Sequence, residues 1–280
     1  MSEFPYVSGA AVLTGAASGI GEATAKGLAM RGMDMAIIDK DAAPLEALAA
    51  GLRANYPKLT ISTHVVDLSE AAPIAALPEE VRRSHERVSM LINNAGVALG
   101  GTFEDVSLAD IEFVMAVNFW AAVRMSKAFM PDLRAADSAL MINISSLFGL
   151  IGTPGQTAYT ASKFAIRGFS ESLRTEVSRF GIKVLQVHPG GIKTNVANNA
   201  RLGANLTRGD VDQVRSSFNK VLTMDPRVAA EQILNAVAAG KNRLVITKEA
   251  KALDLLARLL PAKHGEIIAK EMLRRTGVKL

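Results

Sequence analysis

Cysteine is absent from the 280 residues of this sequence, and aromatic residues are scarce. Without cysteine there can be no disulfide, thiolate metal ligand or thiol nucleophile, which suits a reducing, cytoplasmic environment. Aromatic residues make up 5% and form no series among basic residues, so a nucleic-acid-binding surface is not expected. No run of about 18 apolar residues occurs, so no membrane span is expected. The N-terminus also lacks the basic and apolar regions of a secretory signal.

Charge of one sign is not abundant either. Lys and Arg total 32 against 27 Asp and Glu, a formal net charge of +5, and the basic residues are scattered. Such scatter indicates a solvated surface. Hydrophobic residues make up 49% and charged residues 21%, which is typical of a globular enzyme with a sizeable core. We expect a single domain over residues 1–280, with its core from about residue 8 to residue 247.

Apolar runs alternate with longer amphipathic stretches. About seven strands are predicted, at residues 9–13, 33–38, 61–66, 88–92, 140–144, 182–187 and 244–247. Several are almost continuously apolar, like parallel strands that are buried on both faces. The longest helices are predicted at residues 108–134, 156–180 and 226–239, the last one capped by Asp225. The alternation predicts an α/β fold, a Rossmann-type doubly wound parallel sheet with helices on both faces.

Two later segments depart from this pattern. Residues 191–225 have little periodicity, and a connection of this length indicates either a functional lid or a disordered loop. Residues 248–280 predict a helical extension in which Lys251, Asp254 and Arg258 form a narrow polar stripe. The rest of that helix is rich in leucine, so we expect the protein's own core or another subunit to cover it rather than a membrane surface.

A glycine-rich turn, TGAASGIG, joins the first strand to the first helix. Gly15 permits a tight turn, Gly19 lets the backbone approach a pyrophosphate, and Gly21 lets the helix pack closely on the strand. The helix N-terminus then offers free N–H groups to an anion. The spacing is G-x-x-x-G-x-G, and its position between strand and helix favours a dinucleotide site over an ordinary turn.

Acidic and amide residues follow the next strands. Asp39 ends the second strand, 18 residues after Gly21, where a carboxylate binds the adenosine ribose of NAD and repels the 2′-phosphate of NADP. Lys40 could partly offset that repulsion, so NADP stays open as the less favoured cofactor. Asp67 ends the third strand and can meet the adenine edge. The turn NNAG ends the fourth strand, either at the cofactor crevice or as a simple cap.

Tyr159 and Lys163 are four residues apart in TAYTASKF. On a helix this spacing places both side chains on one face. A nearby ammonium lowers the pKa of a phenol, which would make Tyr159 a general acid or base near neutral pH. The spacing alone is common on surface helices, so the functional interpretation of Tyr159 and Lys163 depends on the other motifs.

Together these motifs resemble the short-chain dehydrogenase/reductase family over about residues 8–247. The similarity is carried, in the family's order, by TGAASGIG, NNAG, the Asn of MAVNFW, NISS, Tyr-x-x-x-Lys and Pro-Gly. It implies that Tyr159 is the general acid/base and that Lys163 lowers its pKa and binds the nicotinamide ribose. It also implies that Ser146, thirteen residues before Tyr159, holds the substrate oxygen, and that Asn118 positions a water in a proton relay.

The resemblance implies wider sets of contacts. The expected cofactor contacts are Gly15, Ser18, Gly19, Ile20, Gly21, Asp39, Asp67, Leu68, Asn94, Ala95, Gly96, Tyr159, Lys163, Pro189, Gly190, Ile192 and Thr194. The expected substrate contacts are Ser146, Phe148 and Tyr159. A covering loop would add Val196, Leu202, Leu206, Val211, Val214 and Phe218, with Leu147 and Leu150 beside the catalytic residues. No metal is expected, because the four histidines show no ligand spacing, and His188 is interpreted as structural.

The implied activity is hydride transfer between NAD(H) and a lipophilic secondary alcohol or ketone. An NADPH-dependent ketone reductase is the first alternative, and a dinucleotide-binding regulator without turnover is the second. The helices at residues 108–134 and 156–180 resemble those of the family's subunit contact, which implies a homodimer or homotetramer.

Overall fold

Seven parallel strands form the central sheet of the protein. The structure is a computed structural model that describes residues 6, 8–196, 200–203 and 221–276. The sheet contains β1 (Ala10–Thr14), β2 (Met35–Asp39), β3 (Ile61–Val65), β4 (Val88–Asn93), β6 (Ala139–Ile144), β7 (Ile182–Pro189) and β9 (Arg243–Ile246). Its order is β3-β2-β1-β4-β6-β7-β9. The predicted doubly wound parallel sheet is therefore confirmed.

Two short strands lie outside this sheet. They are β5 (Leu99–Gly100) and β8 (Arg201–Leu202), which pair in parallel. The backbone N–H of Arg201 donates to the carbonyl of Ala98 at 3.0 Å, and that of Gly203 donates to the carbonyl of Gly100 at 3.0 Å. Part of the poorly patterned segment after β7 is therefore attached to the chain that follows β4.

Helices flank the sheet on both faces. They are α1 (Gly19–Met30), α2 (Ala42–Asn55), α3 (Ala71–Arg82), α4 (Leu108–Met115), α5 (Ala121–Ala135), α6 (Thr157–Val177), α7 (Pro226–Ala238), α8 (Lys248–Leu259) and α9 (His264–Thr276). The helix predicted at residues 108–134 is divided by a π-helical turn, Ala116–Trp120. As predicted, Asp225 caps α7, because its carboxylate accepts from the N–H of Arg227 at 2.8 Å.

Adjacent residues of the strands pack into two separate hydrophobic cores, one on each face of the sheet. Leu13 of β1 packs in a layer with Leu28 of α1 and Ile233 of α7. Its neighbour Val12 packs on the opposite face, in a layer with Phe129 of α5. Successive side chains point to opposite faces of a strand. Because both faces are covered, β1, β4 and β6 are buried along their whole length, as the sequence pattern predicted for several strands.

The C-terminal helices cover one edge of the sheet. Ala250 of α8 and Ile268 of α9 are buried in a cluster with Leu150, Ile151 and Val245. Of the two covers expected for the tail, the protein's own core or another subunit, the first is present on one face of α8. Leu255 and Leu259, on its other face, are 56% and 68% exposed. Within the residues the structure describes, no helix is both long and apolar enough to cross a membrane.

Candidate active site

The carboxyl ends of the central strands surround a cavity of about 410 Å³. Its wall contains these residues from the predicted sets: Gly15, Ser18, Gly19, Ile20, Asp39, Asp67, Leu68, Asn94, Ala95, Gly96, Ser146, Phe148, Tyr159, Lys163, Pro189, Gly190, Ile192 and Thr194. Gly21 and Asn118 lie behind the wall rather than in it. The fold therefore brings residues as distant in the chain as Gly15 and Leu222 into one crevice.

The glycine turn at one end of the cavity depends on backbone conformations that favour glycine. Gly15 has φ of 65° and Gly19 has φ of 56°, both in the left-handed region. Glycine is required at position 21 for a different reason, since a Cβ there would collide with the carbonyl oxygen of Gly15. Helix α1 begins at Gly19, so the free N–H groups of its first turn face the cavity.

Asn94 holds the glycine turn to the end of β4. Its Nδ2 donates to the carbonyl oxygens of Thr14 and Gly15, both at 3.0 Å. The hydroxyl of Thr14 in return accepts from the N–H groups of Asn94 at 3.0 Å and Ala95 at 3.1 Å. The sequence left two roles open for the NNAG turn, a cofactor contact or a simple cap. The structure shows a further role, because these hydrogen bonds connect the end of β1 to the end of β4.

Two carboxylates line the cavity beyond the turn. Asp39 accepts from the N–H of Ala17 at 2.9 Å, which fixes the carboxylate beside the glycine turn. The pKa of Asp67 is lowered, chiefly because its carboxylate accepts from the N–H of Ser69, with Lys40 and Arg201 adding favourable charge. Lys40 also lines the cavity, close enough to Asp67 to favour its ionised form.

Tyr159 and Lys163 lie on one face of α6 at the other end of the cavity. Lys163 is 4% exposed, and its Nζ donates to the carbonyl of Ile144 at 3.3 Å. Burial lowers the pKa of Lys163 to about 8. The Lys163 Nζ is 5.7 Å from the centroid of the Tyr159 ring. The predicted shared face is therefore present.

The predicted lowering of the Tyr159 pKa is wrong for this structure. Burial raises the pKa of Tyr159 above its usual value of 10.0, and a hydrogen bond with the Ser146 side chain offsets only part of that rise. The physical reason is desolvation, which disfavours the phenolate more than the neighbouring hydroxyl stabilises it. Tyr159 is thus a protonated phenol at neutral pH.

The two serines after β6 have different surroundings. Ser145 is buried, and its hydroxyl donates to the carbonyl of Lys163 at 2.9 Å, which ties β6 to α6. Ser146 is half-buried, and its Oγ accepts from the N–H of Phe148 at 3.2 Å. Behind it, the Nδ1 of His188 bonds to the carbonyl of Ser146 at 3.1 Å. The structure therefore leaves Ser146, as predicted, as the serine beside Tyr159.

Asn118 sits in the π-helical turn and is 3% exposed. Its side chain pairs with the backbone of Val97, accepting from the N–H at 2.8 Å and donating to the carbonyl at 2.9 Å. Nδ2 also donates to the hydroxyl of Ser162 at 3.0 Å. A Cβ on Gly96 would lie 3.2 Å from the Oδ1 of Asn118 and 3.3 Å from the Nζ of Lys163. Gly96 therefore lets both groups approach the cavity floor.

The rest of the wall is largely apolar. Phe113 and Val117, from α4 and the π-helical turn, were missed by sequence reasoning because their helical positions carry no local signal of a site. Phe148 and Val196 line the cavity as predicted, whereas Leu147 and Leu150 pack against the C-terminal helices instead. Leu202 is in β8. The predicted loop contacts Leu206, Val211, Val214 and Phe218 lie outside the described residues.

A metal site is not evident in the described part of the chain, where no group of three or more His, Cys, Asp or Glu side chains is placed to hold an ion. His64 and His85 instead share the hydroxyl of Ser62, each at 2.9 Å.

The sheet order, the glycine turn and the crevice at the strand ends define a Rossmann-type α/β protein. The short chain dehydrogenase family model matches residues 9–205. The Mycobacterium tuberculosis protein named "Putative oxidoreductase SadH" is 40% identical over 264 residues, which cover 92% of this chain and 93% of that protein. The 3-ketodihydrosphingosine reductase of Bacteroides thetaiotaomicron is 35% identical over 211 residues, which cover 75% of this chain and 73% of that protein.

Solved structures agree with the fold. A short-chain dehydrogenase/reductase from Burkholderia phymatum in complex with NAD superposes with a TM-score of 0.86 at 24% identity, covering 94% of this chain and 97% of that one. A short-chain dehydrogenase from Sphingobium yanoikuyae in complex with NADPH gives a TM-score of 0.73 at 27% identity, covering 90% and 95%. The chain belongs to the short-chain dehydrogenase/reductase family of oxidoreductases.

Proposed function

We propose that this protein transfers a hydride between NAD(H) and a lipophilic secondary alcohol or ketone, with Tyr159 as general acid/base. The observation that carries the proposal is the meeting of Ser146, Tyr159 and Lys163 in the same cavity as the glycine turn. One end of the cavity is built for an anionic dinucleotide, and the other presents a phenol and a hydroxyl that can bind one substrate oxygen.

The crevice residues fit a nicotinamide dinucleotide. Gly15 and Gly19 expose backbone where a pyrophosphate would approach, and a Cβ on Gly96 would narrow the space before Asn118 and Lys163. When bound, the cofactor supplies or accepts the hydride. Asp39 would take the adenosine ribose, Asp67 the adenine edge, and Ile192 with Thr194 the carboxamide. Structures in complex with NAD and with NADPH among the similar proteins support this class of cofactor.

The raised pKa of Tyr159 keeps the phenol protonated at neutral pH, so the phenol carries the proton that reduction requires. In the reductive direction the phenol gives its proton to the substrate oxygen as negative charge develops there, while the hydroxyl of Ser146 holds that oxygen. Lys163, with a pKa of about 8, is mostly protonated at pH 7 and can bind the nicotinamide ribose. We also propose that Asn118 positions a water in the proton relay, because its side chain is buried beside Gly96.

NAD is the proposed cofactor because Asp39 is fixed beside the glycine turn, where a 2′-phosphate would meet its charge. NADPH is the second candidate, since Lys40 lines the same cavity. The apolar wall supports a lipophilic substrate, in keeping with the name of the related 3-ketodihydrosphingosine reductase.

A homodimer or homotetramer is also proposed, through the region of α4 to α6. Trp120 and Phe164 in this region are 48% and 39% exposed. Large exposed apolar side chains of neighbouring helices are typical of a subunit contact.

The proposal is tested with Tyr159→Phe. The ring is kept and only the hydroxyl that carries the transferable proton is lost, so we expect kcat for hydrophobic ketones to fall by about 10²-fold or more while cofactor affinity stays unchanged. Turnover is followed by cofactor absorbance and affinity by cofactor fluorescence. Tyr56→Phe, at the end of α2 and outside the cavity wall, serves as the control. Near wild-type turnover of Tyr159→Phe would remove Tyr159 from the proton step.

The same titrations compare the two cofactors on the wild-type protein. Tighter binding of NADH than NADPH is expected, and the reverse order would contradict the role proposed for Asp39.

A further inference from the structure

Helix α8 has an exposed face that combines leucine with basic residues. Because side chains at helical spacings of i, i+4, i+7 and i+11 share one face, a stripe along the outside of α8 is formed by Lys248, Ala252, Leu255 and Leu259. Lys251 and Arg258 are exposed beside this stripe, seven residues apart. The six residues together are termed the outer face of α8.

The exposure of apolar side chains continues beyond the end of α8. Leu260, directly after the helix, is 39% exposed, and Ile267, in the first turn of α9, is 42% exposed. Lys263 and Lys270 occupy exposed positions before and after Ile267. Single exposed leucines are ordinary on a protein surface, whereas a concentration of them indicates a surface that binds something.

The charge of the outer face disfavours a second copy of the chain as its cover. Most subunit contacts are two-fold symmetric, so Lys248 and Lys251 would approach their own counterparts. Like charges repel across a contact, and lysine is depleted from the cores of interfaces. Against its basic residues, α8 exposes one carboxylate, that of Glu249, so the outer face has a positive balance.

An anionic lipid surface matches both properties of the outer face. The boundary of its acyl chains accepts leucine side chains, and its headgroups attract lysine and arginine. With 12 residues α8 is too short to span a bilayer, which needs about 20, so it would lie in the plane of the interface. The sequence favoured another subunit over a membrane surface as the second cover, and the charges of the folded surface favour the membrane.

The inner face of α8 connects this surface to the candidate active site. Leu256 packs in the same cluster as Phe148, and Phe148 lines the cavity. Binding through the outer face would therefore hold this apolar part of the cavity roughly 10 Å from the lipid, the diameter of one helix. A lipophilic substrate of the proposed reaction is concentrated in lipid, so the path to the cavity would be short.

We infer that the outer face of α8 binds the surface of membranes that contain anionic phospholipid, as a peripheral contact. This binding needs neither cofactor nor substrate, so it can be measured independently of the proposed reaction.

The test is co-sedimentation of the full chain with lipid vesicles. Vesicles of phosphatidylcholine with about 30 mol% phosphatidylglycerol are compared with vesicles of phosphatidylcholine alone. We expect the wild type to bind the anionic vesicles at least about 10-fold more tightly. Raising NaCl from about 0.1 M to about 0.5 M should weaken that binding, because salt screens the attraction of the basic residues.

Variants separate the apolar and the charged contributions. The double substitution Leu255→Glu with Leu259→Glu should weaken binding to anionic vesicles at least about 10-fold, and Lys251→Glu about 5-fold or more. Met30→Glu is the control for an exposed apolar residue. Lys58→Glu is the control for net charge, because it is exposed just before β3, at the opposite edge of the sheet. Circular dichroism checks that each variant is folded.

Three results would overturn the inference without touching the proposed reaction. The wild type could bind neither kind of vesicle, or both equally. Lys58→Glu could weaken binding as much as Lys251→Glu, which would make the attraction a property of the whole surface. Finally, the double leucine variant could retain binding, or it could lower the mass in solution by light scattering while the wild type ignores vesicles, which would assign the outer face to a second copy of the chain.

Discussion

Lys163 is a residue whose surroundings oppose its own charge. It is 4% exposed, and among the described residues its ammonium donates to the carbonyl of Ile144. Burial lowers its pKa from 10.5 to about 8, so the folded protein holds the protonated form at a cost. Ionisable groups that are buried at a cost in stability are typical of functional sites, where activity requires them.

Lys163→Met is therefore expected to abolish turnover and to stabilise the fold. Between about pH 8 and pH 10.5 the unfolded chain binds more protons than the native protein. The loss of stability caused by the buried ammonium is therefore complete below pH 8 and disappears as the pH rises through that window. At pH 7 we expect a gain of about 1–3 kcal/mol in the free energy of unfolding. Urea unfolding at pH 7 and pH 10 measures it.

Lys127→Met is the matched control for this prediction, because Lys127 is an exposed lysine of α5. It should leave stability within about 0.5 kcal/mol of the wild type. A Lys163→Met protein that is less stable than the wild type at pH 7, or equally altered at both pH values, would contradict the account of the buried charge.

At the scale of elements, α8 presents two different faces. Its inner face carries Ala250 and Leu256, which join a cluster with Phe148 and Leu150, a few residues after Ser146. Asp254 also turns inward and pairs with Arg243 at 2.8 Å, so the predicted polar stripe is partly an internal ion pair. The C-terminal helices thus support the back of the candidate site.

Two adjacent leucines of α8 separate these faces experimentally. Leu256→Asp places a carboxylate in the cluster and should lower the free energy of unfolding by about 1–3 kcal/mol, with a fall in turnover. Leu255→Asp, at a position that is 56% exposed, should change stability by less than about 0.5 kcal/mol. Thermal unfolding and ketone reduction measure both effects. Equal effects of the two substitutions would show that α8 does not pack as described.

At the scale of the whole molecule, the proposed assembly concerns the surface of α4 to α6. Phe164 follows Lys163 directly but is 39% exposed, so it points away from the buried face of α6. In the proposed oligomer this side chain is covered by a second copy of the chain, which would hold α6 from the side opposite the cavity.

Phe164→Glu is expected to shift the protein toward the monomer, since it places charge in an apolar contact. Light scattering coupled to size-exclusion chromatography measures the mass across a range of concentrations. Met30→Glu, at the end of α1 and 71% exposed, is the control and should leave the mass unchanged. A wild-type protein that is monomeric throughout, or an unchanged mass for Phe164→Glu, would contradict the proposed contact.

Much of the fold could be predicted because its causes are local. Continuous apolar runs predict strands that are buried on both faces, and the observed sheet has Val12 and Leu13 in separate cores. The glycine turn was predictable because Gly15 and Gly19 occupy backbone conformations that other residues avoid. Helical periodicity likewise placed Tyr159 and Lys163 on one face. In each case neighbours in the chain impose the structure.

What the sequence could not decide depends on groups that are distant in the chain. It could not show that Asn94 holds the glycine turn, or that Phe113 faces the cavity, because those contacts exist only once β1, β4 and α4 have come together. It predicted a lowered pKa for Tyr159 from one neighbouring charge, whereas burial by the whole fold raises it. By itself the sequence determined the sheet, the turn and the shared helix face. Only the tertiary structure decided solvation and the partners of buried polar groups, because desolvation is a property of the assembled molecule.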